Sequence, residues 1–309
     1  RRREVRVPEA PMRADWLLDG HPRGDPPCFV EVKNVTAAVA GGTAFFPDAV
    51  TERGRRHLEV LTGWVGQGGR AALVFCVQRS DAWSVQPAAW IDPRYAEALR
   101  AAASKLTGTA PERVGAIAGN LCDAESLLAL KDMMGSLGSP NLDCRQDGAK
   151  LDSSVRAGYL FNTTIAGIED ADACLIVGSN PRREAAMINA RLRKRFLQGG
   201  FRVGVIGEPV DLTFQVEHLG AGPDTLAEVA EGRHSFAEVL RNAEKPMVIL
   251  GQGALARPDG AEILGRVRRM AEDFGMVGEG WNGFNVLHTE AGRVGGLDLG
   301  FVPGEGGRD

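Results

Sequence analysis

The chain has 309 residues, a near-ordinary apolar share of 44% and a formal net charge of −4, with 36 basic against 40 acidic side chains. That length points to two domains, since single cores stop growing near ~250–300 residues. No apolar run approaches the ~18–20 residues of a membrane span, and no signal-peptide pattern opens the chain. The five cysteines (Cys28, Cys76, Cys122, Cys144, Cys174) are odd in number, scattered and free of any CxxC pair. They read as reduced thiols in a cytoplasmic setting and argue against a zinc or iron–sulfur site held within this chain.

In the first hundred residues, Asp15–Leu18 and Cys28–Val35 read as strands joined by the turn-rich GHPRGDPP. Side chains two apart on a strand share a face, so Glu31 and Lys33 project together. An acid on the preceding strand, here Asp15, with Glu-x-Lys on the next is the layout of PD-(D/E)xK nucleases. There two carboxylates hold a divalent metal and the lysine orients the attacking water. The same spacing also suits a plain cross-face ion pair. A helix follows from about Thr51, with Val50, Leu58, Leu61 and Val65 expected inward. Ala72–Val77 is the next strand, ending at Gln78.

The wording RADWLL, FVEVKNVT, FPDAVTERGRRHLEVL, FCVQRSD and IDPRYAEALR, in that order, resembles the sugar fermentation stimulation protein family. The resemblance covers residues 1–100 and implies a truncated, nuclease-like, DNA-binding α/β domain. It places Asp15, Glu31 and Lys33 at the catalytic positions, with Asp15 and Glu31 as candidate ligands for a divalent metal such as Mg. Thr51, Arg53 and His57 on the next helix are candidate phosphate contacts, the alternative being plain amphipathic packing, and Gln78 at the strand end either faces the same site or is a strand-end hydrogen-bonding residue.

From Pro93 the helix pattern RYAEALRAAASKL runs on without a Gly, Pro or Ser linker, although one wording ends near Leu99 and another begins near Ala101. The expectation is a chimeric or misassembled chain, divided into residues 1–100 and 103–309. A start at Arg1 and a stop inside Gly304–Gly307 add the expectation that both ends are cut.

Further on, Val114–Ala118 reads as a strand. Asp123 caps a helix Ala124–Leu137 whose stripe is Leu127, Leu130, Met134 and Leu137. NLDCRQDG, around Cys144, is an irregular loop. Cys174–Val177 is a short apolar strand, stopped by Gly178–Ser179–Asn180–Pro181, and a helix through Ile188, Leu192 and Phe196 follows. Strand, glycine turn and helix start aim free N–H groups at whatever sits over the strand end, which suits an anionic nucleotide or phosphate; it is also the structural turn by which a doubly wound α/β protein joins a strand to a helix. Arg202–Ile206 and Pro246–Leu250 are further strands. Asp224 or Thr225 is expected to cap Leu226–Ala230, and Ser235 to cap Phe236–Asn242. The helix Gly260–Phe274 turns Ile263, Val267, Met270 and Phe274 inward. These repeated strand–turn–helix units imply a doubly wound parallel sheet. The Gly251 turn lacks the fingerprint of an NAD site. Trp281–Gly295 reads as a loop with a structural His288.

The GSNP loop with Asn189–Ala190–Arg191 on the helix beyond it resembles the molybdopterin oxidoreductase superfamily, in which this loop holds a phosphate-bearing part of the pterin nucleotide. SLGSPNLDCRQDGAKLDSSVRAGYLFNTTIAGIEDADACLIVGSNPRREA, with HLGAGPDTLAE, KPMVILGQGALARPDG and EGWNGFNVLHTEAGRVGGLDLGFVPGEGGRD, is similar to the G subunit of bacterial NADH:quinone oxidoreductase, respiratory complex I. The resemblance implies Gly178, Ser179, Asn180 and Pro181 as the cofactor-binding loop of a truncated scaffold domain. No cofactor is then firmly held here, and the iron–sulfur clusters lie outside this chain. Partners are other complex I subunits for residues 103–309 and DNA for residues 1–100. The expected location is cytoplasmic, or peripheral on the cytoplasmic side of the bacterial inner membrane. The first alternative is a DNA-binding, metal-dependent nuclease. The second is a catalytic molybdopterin oxidoreductase in which Cys144 ligates the metal.

Overall fold

In a computed structural model, all residues are described except 1, 9, 20–25, 36, 40–41, 78–81, 83 and 308–309. Gln78 lies outside the described residues. The chain divides into Arg1–Val114 and Gly115–Asp309. The division falls later than the residues at which the two wordings meet, because helix Pro93–Thr107 continues unbroken and belongs whole to the first unit.

The first unit is built on a four-stranded sheet in the order Arg2–Arg6, Arg13–Leu18, Cys28–Val35, Arg70–Val77. The first three strands pair antiparallel. The last two are parallel, with Glu31 opposite Leu73 and Lys33 opposite Phe75. Parallel neighbours need a crossover, which helix Glu52–Gly66 supplies. Its Leu58 and Leu61 are buried, and Trp64 meets Phe29 of the sheet edge-on. Val50, expected inward, is instead exposed, because the helix begins after Thr51 and Val50 precedes it. Strands Ala37–Val39, Thr43–Phe46 and Ser84–Pro87 form a separate three-stranded sheet.

The second unit holds five parallel strands in the order Glu217–Gly220, Arg202–Ile206, Ala173–Val177, Pro246–Gly251, Phe284–Leu287. Every residue of Ala173–Val177 and of Pro246–Gly251 is buried. That is why these strands read as unbroken apolar runs rather than alternating ones. Phe284–Leu287 is a strand, not part of a loop. Its backbone is fixed by pairing with Val248–Gly251, a partner that local composition does not reveal. Two caps also differ. Helix Pro223–Ala230 starts at Gly222, before Asp224 and Thr225, and Ser235 makes no capping bond with its side chain. Asp123 does cap its helix, accepting from the Ser126 N–H at 2.7 Å.

Strand order reverses between Ala173–Val177 and Pro246–Gly251: later strands add outward on either side of that pair. In open α/β sheets the crevice at the carboxyl ends beside such a reversal is where ligands sit. The residues there are Gly178–Ser179–Asn180 and Gly251–Gln252. No helix among the described residues is long and apolar enough to cross a membrane.

Candidate functional site

Three places gather polar side chains. In the first unit, alternation along Cys28–Val35 turns Phe29, Glu31, Lys33 and Val35 to one face and leaves Val32 exposed on the other. Glu31 is only 3% exposed. Its Oε1 accepts from Lys33 Nζ at 2.5 Å and meets His57 Nδ1 at 2.6 Å. Its Oε2 is buried and has no hydrogen-bond partner. Asp15 spends its Oδ2 on the Val32 backbone N–H, at 2.7 Å. The acidic residue and the Glu-x-Lys pair therefore lie side by side on neighbouring strands. Among the described residues, no group of three carboxylate, imidazole or thiol side chains stands ready to hold a metal. Mg²⁺ is an ion that keeps several waters and takes one or two protein carboxylates. An unpartnered buried carboxylate oxygen at Glu31 fits such an ion.

The two helices over this face are tied at their starts by Asp92. Its Oδ1 accepts from Tyr95 N–H at 2.9 Å and its Oδ2 from Thr51 N–H at 2.8 Å. These backbone donors hold its carboxyl below the usual range. Thr51 is the N-cap of its helix, accepting from Gly54 N–H at 2.9 Å. A side chain at Gly54 would put Cβ 2.8 Å from Thr51 Oγ1 and 3.3 Å from the Tyr95 ring, so the helices approach only across a glycine. The Tyr95 ring is fully buried and its hydroxyl has no partner. Burial first, then the charges of Glu31 and Asp92, pushes its phenol well up. Of the three candidate phosphate contacts, Thr51 is a cap, His57 is buried on Glu31 and Arg53 is exposed.

In the second unit, Gly178 has φ +62°, and a Cβ there would fall 2.6 Å from Ala254 Cβ. Only glycine allows this turn to close on its neighbour. The helix beyond is not continuous. Pro181–Glu184 is one turn, Ala185 is extended (φ −150°, ψ 72°), and the longer helix is Ala186–Leu197. One turn cannot aim a helix dipole at a ligand. Glu184 instead folds back, accepting from Ser179 Oγ at 2.6 Å and from the Asn180 N–H at 3.0 Å. The chain's own carboxylate thus takes the Ser179 hydroxyl and the Asn180 N–H, while Asn180 Oδ1 is buried with no partner. Asn189 Nδ2 donates to the Leu212 carbonyl at 3.1 Å and Arg191 pairs with Glu169, so both serve packing.

Cys144 is buried, with its thiol against Gly296. Burial and then Asp143 push the thiol up to about 11, against the pull of Arg293 and Arg145. Metal ligation takes a thiolate. Next to it, Arg293 is wholly buried, with Nη2 3.0 Å from Asp147 Oδ1 and 3.2 Å from Glu290 Oε2. Sequence reasoning missed this arginine. His288 donates from Nε2 to the Tyr159 carbonyl at 2.6 Å, and burial holds its pKa down, so it serves as a neutral strut.

Comparisons with known proteins divide the chain in the same way. The model of the molybdopterin oxidoreductase family matches residues 88–308, and that of the sugar fermentation stimulation protein RE domain matches residues 1–110. The two overlap on the stretch containing helix Pro93–Thr107. A sugar fermentation stimulation protein homolog of Halorhodospira halophila is 82% identical over 105 residues, 34% of this chain and 44% of the relative. The mitochondrial NADH dehydrogenase [ubiquinone] iron-sulfur protein 1 of Solanum tuberosum is 43% identical over 207 residues, 67% of this chain and 28% of the relative. The NADH-quinone oxidoreductase G subunit of Rickettsia felis is 39% identical over 211 residues, 68% of this chain and 31% of the relative. The chain spans less than half the length of each. Two segments of distinct kinship are thus joined in one polypeptide. By the match over most of its length, the chain belongs to the molybdopterin oxidoreductase family, and its first 110 residues resemble the sugar fermentation stimulation protein RE domain.

Proposed function

We propose that residues 115–309 serve as a supporting domain of the kind found in the G subunit of respiratory complex I, with no redox chemistry of their own. The observation that carries this reading is the Glu184 carboxylate on Ser179 and Asn180, where a cofactor phosphate would otherwise sit. A buried, protonated Cys144 supports it further and speaks against a catalytic molybdopterin enzyme. On this reading the partners are other complex I subunits, the location is peripheral on the cytoplasmic side of the inner membrane, and the clusters belong to other parts of the assembly. A domain exchange tests it. Residues 115–309 replace the matching segment of a bacterial G subunit, and membranes are resolved by native electrophoresis. Assembled complex with NADH:quinone activity is expected; failure to assemble removes the reading.

A second reading concerns the first unit, and the unpartnered Glu31 Oε2 favours it. Here residues 1–114 handle DNA in the PD-(D/E)xK manner, with Asp15 and Glu31 as ligands of a divalent ion such as Mg²⁺. The ion would supply charge neutralisation at a scissile phosphate. Lys33 Nζ, held by Glu31, would orient the attacking water, and Glu31 would fix both. Salt-dependent retention on DNA should be lost when Glu31→Ala and Lys33→Ala are combined. Unchanged retention would refute a role for the pair.

A further inference from the structure

We propose that His57 is a positioning residue that clamps Oε1 of Glu31 and so presents Oε2 alone to a divalent cation. This rests on the metal reading of Asp15, Glu31 and Lys33 and adds to it a residue from a different element.

The two oxygens of the Glu31 carboxylate are treated unequally. Oε1 receives both Lys33 Nζ and His57 Nδ1, at 2.5 and 2.6 Å, while Oε2 receives nothing. A carboxylate free to rotate about its last bond would share its donors. Leaving one buried acceptor bare costs free energy that a structural pair would avoid. The imidazole prevents that rotation. His57 is 5% exposed on a helix fixed by the Thr51 cap and the Asp92 tie, and Glu31 is held in the strand pairing with Leu73. Lys33 cannot hold the carboxylate equally well, since its flexible ammonium sits on the same strand, two residues away. With Oε1 shared by two donors, the lone pairs left for a hard cation are those of Oε2.

The bare hydroxyl of Tyr95 supports the assignment independently. It is buried with no partner, and the charge of Glu31 reaches it. Among the described residues of the first unit, Glu31 Oε2, Tyr95 Oη and Trp64 Nε1 are the buried polar side-chain atoms left without a hydrogen-bond partner. Partners that orient a ligating group from behind typically set metal affinity by ~10–100-fold.

The test is Mn²⁺ binding to the full chain, read by electron paramagnetic resonance of the free ion, with circular dichroism to check folding. Wild type should show one saturable site and Glu31→Gln none. His57→Ala should bind ~10–100-fold more weakly. His57→Asn, whose amide nitrogen can take the place of Nδ1 as donor, should restore most of the loss. If His57→Ala matches wild type, or a folded His57→Asn binds no better than His57→Ala, the positioning role is overturned while the metal site stands. Should His57→Ala not fold, His57→Asn decides between wild type and Glu31→Gln as references: binding like wild type supports the role, and binding like Glu31→Gln overturns it. A wild-type chain with no saturable site removes the metal reading itself, and this inference with it.

Discussion

The two main sheets bury opposite things. In the second unit, strands Ala173–Val177 and Pro246–Gly251 commit every position to apolar packing, and at their carboxyl ends Glu184 takes the Ser179 hydroxyl and the Asn180 N–H. In the first unit, strand Cys28–Val35 carries a carboxylate and an ammonium into the layer beneath its helices, with an imidazole waiting there. Burying charge is expensive unless it is paired, and a fold without a use for it gains by replacing it with apolar side chains. On the proposed reading, chemistry belongs to the smaller unit and support to the larger one, whose buried charge, Arg293, is paired with Asp147 and Glu290.

The largest effect that would sharpen this contrast is expected at Glu31. Glu31→Leu leaves Lys33 and His57 facing an apolar side chain, and breaking such a buried pair costs ~3–5 kcal/mol. Urea unfolding followed by tryptophan fluorescence should show a loss of that order, and a variant as stable as wild type would make the cluster energetically idle. In the second unit the matching change is Leu175→Ala, at a wholly buried central position. Truncation there should cost ~2–5 kcal/mol through lost burial and the cavity left behind. A loss well under that range would mean the sheet is loosely packed.

A smaller effect concerns the thiols. With its pKa near 11, Cys144 stays protonated in the fold, so iodoacetamide at pH 8 should spare it and modify the half-buried Cys122 first. The sign follows from the raised value. Stability owed to the protonated thiol is complete below the ordinary range of ~8.5 and fades as pH climbs toward the folded value. Peptide mapping that finds Cys144 alkylated first would contradict both its burial and the supporting role assigned to its domain.

Much of the frame was legible in the sequence because local signals and tertiary packing agree. Cys28–Val35 and Arg202–Ile206 take the bounds that alternation and glycine punctuation suggest. The stripe Ile263, Val267, Met270 and Phe274 is buried as its spacing implies. Phe284–Leu287 was not legible, since Asn282, Gly283 and Asn285 resemble loop and only the neighbouring strand makes it β. The break at Ala185 was hidden too, because PRREAAMINA contains no helix breaker after its first residue. At the candidate sites, strand alternation reveals the common face of Glu31 and Lys33 but not the third member. A signal for His57 existed: it lies four residues before the buried Leu61, on the inward stripe of its helix. Nothing local announces that Glu184 would turn back onto Ser179, since that bond depends on the chain breaking at Ala185.

The measurement that bears most directly on this division of labour is the molybdenum and pterin content of the full chain, produced in a host that makes the pterin cofactor. With the donors of Ser179 and Asn180 held by Glu184 and the Cys144 thiol protonated, the purified protein should contain neither. Near-stoichiometric molybdenum with pterin would place redox chemistry in the larger unit and contradict the account.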